Sequence, residues 1–203
     1  MSYYRLQFQA APAEEGERFE YKTHEPCSQC GFRFIEYSRD FQVPEDRVRR
    51  FHLELWDELE EPLFLGADLL VARTDFAEEM VKAGLTGYRL EEARVTLRDR
   101  PKVVLPSYQW VIITGRCRTN DVWRRVVSTC PQCHGTFTEP VKSPVRNAYL
   151  RLPLPEHDLS RARERLVGIV VSQRFKDFLT GVCPEYERFV ELKEISLEPQ
   201  QGK

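Results

Sequence analysis

The sequence predicts an α+β protein of two degenerate repeats, each a Cys-x-x-Cys zinc knuckle plus a strand, helix, strand module, with the halves joined by a zinc staple. Three observations carry this expectation. Cys27-Ser28-Gln29-Cys30-Gly31 returns as Cys130-Pro131-Gln132-Cys133-His134-Gly135, an offset of 103 residues (130 − 27). A short apolar strand, a capped helix and an extended run lie downstream of each pair. Residues matched between those modules keep nearly the same spacing, 99 for Phe76 and Phe175 (175 − 76) and 100 for Val95 and Ile195 (195 − 95). A degenerate duplication accounts for three features repeating in one order; coincidence among common residue types is the competing account. The chain is taken as one domain, 1–203, with pseudo-repeats at 19–100 and 122–199.

The cysteine pairs set the chemistry. A Cys-x-x-Cys turn directs both thiolates at one point while backbone N–H groups bond to sulfur, and a following glycine permits the left-handed residue that closes the loop. Cys27, Cys30, Cys130 and Cys133 together supply the four soft ligands of a closed tetrahedral Zn2+ site, with no open position for catalysis. One shared site is preferred over two half-filled ones, because two ligands leave zinc under-coordinated. His24 is nearby, but with four cysteines present it is read as a surface residue. Thioredoxin-type redox would place one motif at the start of a helix after a core strand; here two motifs sit in polar, turn-like settings.

Composition limits the alternatives. With 203 residues, 41% of them hydrophobic, the chain can bury a sizeable core. Its first residues lack a signal-peptide run and no segment reaches membrane-span length, so a cytoplasmic location is expected. A reducing compartment favours metal ligation over disulfides. A net charge of −2 argues against a strongly electrostatic nucleic-acid binder. Acidic clusters at Glu14-Glu15, Asp57 to Glu61, Glu78-Glu79 and Glu91-Glu92 read as solvated faces, or more sharply as a surface that meets a basic partner such as a nuclease toxin.

In chain order, Tyr3 to Gln9 alternates as a strand with Tyr4, Leu6 and Phe8 on one face. Phe19 and Tyr21 lead into the first cysteine pair, and Phe32, Phe34 and Ile35 leave it, the pattern of a knuckle joining two short strands. Pro44 to Glu60 reads as a helix: Pro44 suits the first turn, Val48, Phe51, Leu55, Trp56 and Leu59 form an apolar stripe, and Pro62 ends it. His52 there is a boundary residue rather than a catalyst. Leu69 to Ala72 is an apolar strand; Thr74 is a candidate N-cap, Phe76, Met80 and Val81 a helix face, and Gly84 a left-handed C-cap. Tyr88 through Leu97 is extended. Lys102 to Leu105 and Tyr108 to Thr114 are β-prone, the second as a central strand. Leu152-Pro153-Leu154-Pro155 is a rigid link, after which Asp158 or Ser160 caps a basic helix through Leu166. Ile169 to Ser172 is a strand, Ser172 an N-cap, Phe175, Phe178 and Leu179 a helix face, and Phe189 to Leu197 an extended run. Cys117 and Cys183 have no partner at ligand spacing and read as isolated thiols.

Several of these stretches carry a resemblance. The cysteine pair near residue 30, Leu70-Val71 separated by four residues from Phe76, Gly84-Leu85-Thr86-Gly87-Tyr88, the second pair past residue 125, and Val170 to Phe175 together resemble the bacterial double-CXXCG motif proteins over most of the chain. The sequence departs where His134 separates Cys133 from Gly135, which leaves His134 as a substitute ligand to consider. The resemblance implies an immunity protein that binds a cognate toxin protein in the cytoplasm and either plugs its active site or blocks a required movement, without catalysis. No Gly-rich phosphate loop, His-Glu-x-x-His helix or Gly-x-Ser-x-Gly elbow points to an enzyme. The alternative is a zinc-ribbon nucleic-acid or transcription-associated protein, favoured by Arg116, Arg118, Arg124 and Arg125 beside Trp123, although neither nucleic acid nor a membrane is the expected partner.

Overall fold

The structure, a computed structural model, describes residues 2–8, 20–21, 26–32, 41–42, 52–55, 61–66, 69–97, 99–105, 107–119, 124–142, 149–162 and 168–197. Phe19, His24, Phe34, Ile35, Trp123 and most of the stretch from Pro44 to Glu60 lie outside them.

The described chain is α+β and mostly sheet. Its first part holds strands β1 (Tyr3–Phe8), β2 (Glu20–Tyr21), β3 (Phe41–Gln42), β4 (His52–Leu55), β5 (Leu63–Gly66) and β6 (Leu69–Arg73), then helix α1 (Thr74–Lys82), then β7 (Tyr88–Glu92), β8 (Arg94–Leu97) and β9 (Val104–Leu105). Its second part holds β10 (Tyr108–Ile113), β11 (Gly115–Thr119), β12 (Arg124–Thr129), β13 (Thr136–Pro140), β14 (Tyr149–Arg151), β15 (Leu159–Ala162) and β16 (Ile169–Ser172), then helix α2 (Gln173–Val182), a 3-10 turn (Tyr186–Arg188) and β17 (Val190–Leu197).

The strands form layers. A sheet of order β2-β4-β8-β9 stacks on a sheet of order β5-β6-β10-β7, and beyond the latter lies a closed barrel of order β1-β16-β15-β11-β14-β17. Alternation along β10 shows how one strand serves two cores. Tyr108, Trp110 and Ile112 meet Leu53, Val71, Val95 and Leu97 between the two open sheets. Val111 and Ile113 turn the other way, joining Leu70, Phe76, Met80, Phe175 and Leu179 with Tyr4, Leu6 and Val171 of the barrel's outer wall. A strand buried on both faces needs the unbroken apolar run that Tyr108 to Ile113 nearly supplies, and it is central as expected, with β6 and β7 on either side. A small third core of Tyr3, Cys117, Leu150, Ala162, Val170 and Ile195 fills the barrel.

Both strand, helix, strand modules form, and each is split by a strand from elsewhere. β10 lies between β6 and β7, antiparallel to both. β1 lies between β16 and β17, again antiparallel to both. The helix ends follow local chemistry. Ser172 accepts the Phe175 amide and starts α2. Gly84, at φ 63, ends α1, with its amide on the Val81 carbonyl and the Leu85 amide on the Met80 carbonyl, the double bond of a Schellman stop. Thr74 is the first residue of α1 rather than its cap; Arg73 holds the cap position without a side-chain bond. Phe76, Ala77 and Met80 are buried, whereas Val81 is 58% exposed.

Two helix expectations fail where the chain is described. His52–Leu55 is strand β4, paired in parallel with β8 from His52 opposite Arg94 to Leu55 opposite Leu97. The segment carries a helical stripe and a period of two at once, and burying Leu53 and Leu55 between the sheets decides for the strand. Likewise Leu159–Ala162 is strand β15, not the start of a capped helix. Asp158 accepts the Ser172 hydroxyl at 2.7 Å and the Thr86 amide at 3.0 Å instead, and Ser160 is buried within the sheet.

Candidate metal centre

The second cysteine pair sits at the tip of the hairpin between β12 and β13, which pair from Arg124 opposite Pro140 to Thr129 opposite Thr136. The chain beyond the first pair is tied to the same hairpin, because β3 adds to β13 with Gln42 opposite Thr136 and Phe41 opposite Phe137. Neighbouring strands thus deliver the two turns to one place.

The turns match bond for bond. In the first, the Gly31 amide donates to the Cys27 carbonyl at 2.7 Å and the Cys27 amide to the Phe32 carbonyl at 3.0 Å. In the second, the His134 amide donates to the Cys130 carbonyl at 2.9 Å and the Cys130 amide to the Gly135 carbonyl at 2.8 Å. Closing either loop needs a left-handed residue just after the second cysteine, and Gly31 (φ 70) and His134 (φ 57) both supply it. The extra residue therefore leaves the turn intact: His134 stands in the position of Gly31, and Gly135 in that of Phe32.

Four sulfurs converge. Cys27 Sγ lies 3.9 Å from Cys130 Sγ, Cys30 Sγ lies 3.8 Å from Cys133 Sγ, and all four fall within 4.8 Å of one another. A tetrahedral ion with metal–sulfur bonds near 2.3 Å separates its sulfurs by about 3.8 Å, so the quartet has the size of one filled coordination sphere. Like-placed cysteines of the two turns therefore face one another across the centre. Between the loop tips, Ser28 Oγ and the Gln132 side-chain amide meet at 2.7–2.9 Å.

Backbone amides tune the thiols. Cys27 is pulled down to about 6, first by the Cys30 N–H and then by that of Gln29. Cys130 is lowered in the same way, first by the Cys133 N–H. The second member of each pair moves the other way: burial raises Cys30 and pushes Cys133 up to about 12. The first cysteine of each turn is thus the readier thiolate donor, and metal binding displaces protons from the sulfurs that still hold them.

The site defined here is a closed four-thiolate centre able to hold one metal ion, formed by the four cysteines that the spacing predicts. His134 is exposed and outside the quartet, and its backbone explains its place. Cys117 lies inside the barrel and Cys183 at the end of α2, so both stand apart from the centre, and all six cysteines are free thiols. The second pair sits in a hairpin turn, as its Cys-x-x-Cys spacing suggests, and Val126, Val127 and Thr129 before the turn and Thr136 to Thr138 after it are its β-prone flanks. No helix among the described residues is long and apolar enough to cross a membrane. Compared with known proteins, the chain matches no family model and no curated sequence.

Proposed function

We propose that the protein is a non-catalytic immunity protein of the cytoplasm that binds and neutralises a cognate bacterial toxin, with one structural Zn2+ held by Cys27, Cys30, Cys130 and Cys133. The observation that carries this reading is the closed quartet: the protein supplies every ligand of a tetrahedral ion, leaving no position for water or substrate. Such a centre fixes shape, and function then falls to the surface it holds. The resemblance of the two cysteine motifs and their modules to double-CXXCG proteins assigns that surface a toxin. Two measurements test the reading. Native mass spectrometry should find one zinc per chain, and Cys130→Ser alone should lose it; two zincs per chain would sink the single site. A secreted or lipoprotein toxin encoded beside this gene should be tolerated on co-expression only with this protein present, and should form a one-to-one complex with it on sizing. Survival without it would remove the toxin reading while leaving the zinc site standing.

The zinc-ribbon reading has less support. Arg116 and Arg118 lie on the barrel strand β11, in a different sheet from the β12 hairpin that bears Arg124 and Arg125, and Arg125 pairs with Glu139. Cations on separate sheets do not make one ribbon surface.

For the scaffold we infer a duplication whose unit begins earlier than the cysteines. β1 precedes the first pair and β10 the second, each pair is followed among the described residues by four strands, a helix and a further strand, and each of these two early strands sits in the other half's module. The repeats have exchanged their first strands. The like-placed sulfurs meeting across the centre are what a two-fold relation between the halves would produce.

A further inference from the structure

The cysteine centre lies open to small oxidants. Cys27, Cys30 and Cys133 are half-buried, and Cys130 is 5% exposed. Ser28, Gln29, Pro131 and Gln132 around them are exposed, so a molecule as small as hydrogen peroxide meets the sulfurs from solvent. The two turns are also held in place by more than an ion. β3 pairs with β13 beside the second turn, and Ser28 and Gln132 bond between the loop tips. Each turn keeps its own backbone closure, through the Gly31 and Cys27 amides in one and the His134 and Cys130 amides in the other.

With the backbones so fixed, Cys27 Sγ faces Cys130 Sγ at 3.9 Å and Cys30 Sγ faces Cys133 Sγ at 3.8 Å. A sulfur–sulfur bond is about 2.0 Å long, so each facing pair has roughly 2 Å left to close. Bonds across the centre also constrain the chain most. Either one joins residues 103 apart (130 − 27 and 133 − 30), whereas a bond inside one turn joins residues three apart. The longer the loop a disulfide closes, the more freedom it takes from the unfolded chain, and the more strongly the native fold holds that bond against thiol exchange.

We propose that the centre is a peroxide-responsive fastening: oxidation joins Cys27 to Cys130 and Cys30 to Cys133, so that two disulfides take over from the metal in tying the halves together. The proposal rests on the single four-thiolate site proposed above. The half-buried Cys27 thiolate takes one oxygen from hydrogen peroxide, becoming a sulfenic acid and releasing hydroxide. Cys130 then attacks that sulfur, forming the disulfide and expelling a second hydroxide. Cys30 and Cys133 repeat the step with a second peroxide, so four thiolates and two peroxides become two disulfides and four hydroxides. Disulfide sulfurs have given up the charge that binds a cation, and zinc leaves as the bonds form.

The test treats the full-length, zinc-loaded protein with hydrogen peroxide and blocks remaining thiols with iodoacetamide. A chromogenic chelator follows zinc release, and tryptic mass mapping without reductant identifies the bonds. Trypsin leaves Cys27 and Cys30 in peptide 23–33, and Cys130 and Cys133 in peptide 126–142. The expected product is one species, the sum of these two peptides less four hydrogens, with one zinc released per chain. Cys27→Ser with Cys130→Ser should still link the peptides, less two hydrogens, through Cys30 and Cys133. The oxidised, metal-free parent should melt roughly 10 °C above the reduced, metal-free parent. The proposal is overturned by two separate peptides each two hydrogens lighter, by sulfinic or sulfonic acids in place of disulfides, or by equal melting of the two metal-free forms. Protein that carries no zinc before treatment would remove the metal reading, and the peptide masses would still decide the pairing.

Discussion

His134 occupies a backbone conformation that costs an L-residue about 1 kcal/mol and a glycine almost nothing, while Gly31 fills the equivalent place in the other turn. The two positions therefore respond to substitution with opposite signs. His134→Gly should stabilise the protein by ~0.5–1 kcal/mol, the relief of strain being partly offset by glycine's freedom in the unfolded chain. Gly31→Ala should destabilise it by ~1 kcal/mol, through backbone strain alone, because a Cβ built there meets nothing within 4 Å. Denaturant melts of the two variants at fixed zinc check both signs, and a loss on His134→Gly would show that the imidazole itself contributes. At this scale the sequence was most legible. Ligand spacing is local chemistry, so Cys27, Cys30, Cys130 and Cys133 could be read without knowing the fold. The equivalence of His134 and Gly31 could not, since it depends on which residue takes the left-handed turn.

Among the elements, the tightest junction lies where the loop after α1 crosses the corner between β10 and β11. The Gly87 carbonyl accepts the Thr114 amide at 2.8 Å and the Gly115 amide at 3.0 Å, and the Leu159 amide donates to the Thr86 carbonyl at 3.0 Å. Strand β15 passes so close that a Cβ on Gly87 would stand 2.1 Å from the Leu159 carbonyl oxygen, at φ 89. Backbone on both sides cannot yield cheaply, so Gly87→Ala should cost on the order of 3 kcal/mol or more and lower the melting temperature by roughly 6–12 °C. Gly181→Ala, in the second helix with open space around it, should instead be neutral or slightly stabilising. A Gly87→Ala protein that melts with the parent would refute the close approach. The helices were legible because their caps are short-range signals, as Ser172 and Gly84 show. Strands β4 and β15 were not, because Leu53, Leu55 and Leu159 gain their burial from partners far along the chain, and long-range pairing overrides a weak helical pattern.

Across the whole molecule, the order of strands was the least legible property, since nothing local in Tyr3–Phe8 states that it will lie between β16 and β17. That placement makes each part of the chain incomplete without the other. A break between residues 106 and 107 leaves β6, α1 and β7 without β10, whose Trp110, Val111, Ile112 and Ile113 are at most 1% exposed. It leaves β16, α2 and β17 without β1, and it divides the cysteine quartet two and two. An unfilled slot between two strands exposes paired edges and an apolar face on both sides, more than a fragment of half this size can offset. Fragments 1–106 and 107–203, purified separately, should each lack a cooperative melt. Mixed with zinc, they should regain one and run as a one-to-one complex near the 23.9 kDa of the intact chain. Chelating the metal should weaken that complex at least tenfold, because the ion then bridges two chains instead of closing one long loop. Either fragment folding alone as a monomer would refute the reciprocal insertion. A complex indifferent to zinc would keep the insertion and exclude the staple, so the two contributions are separately measurable.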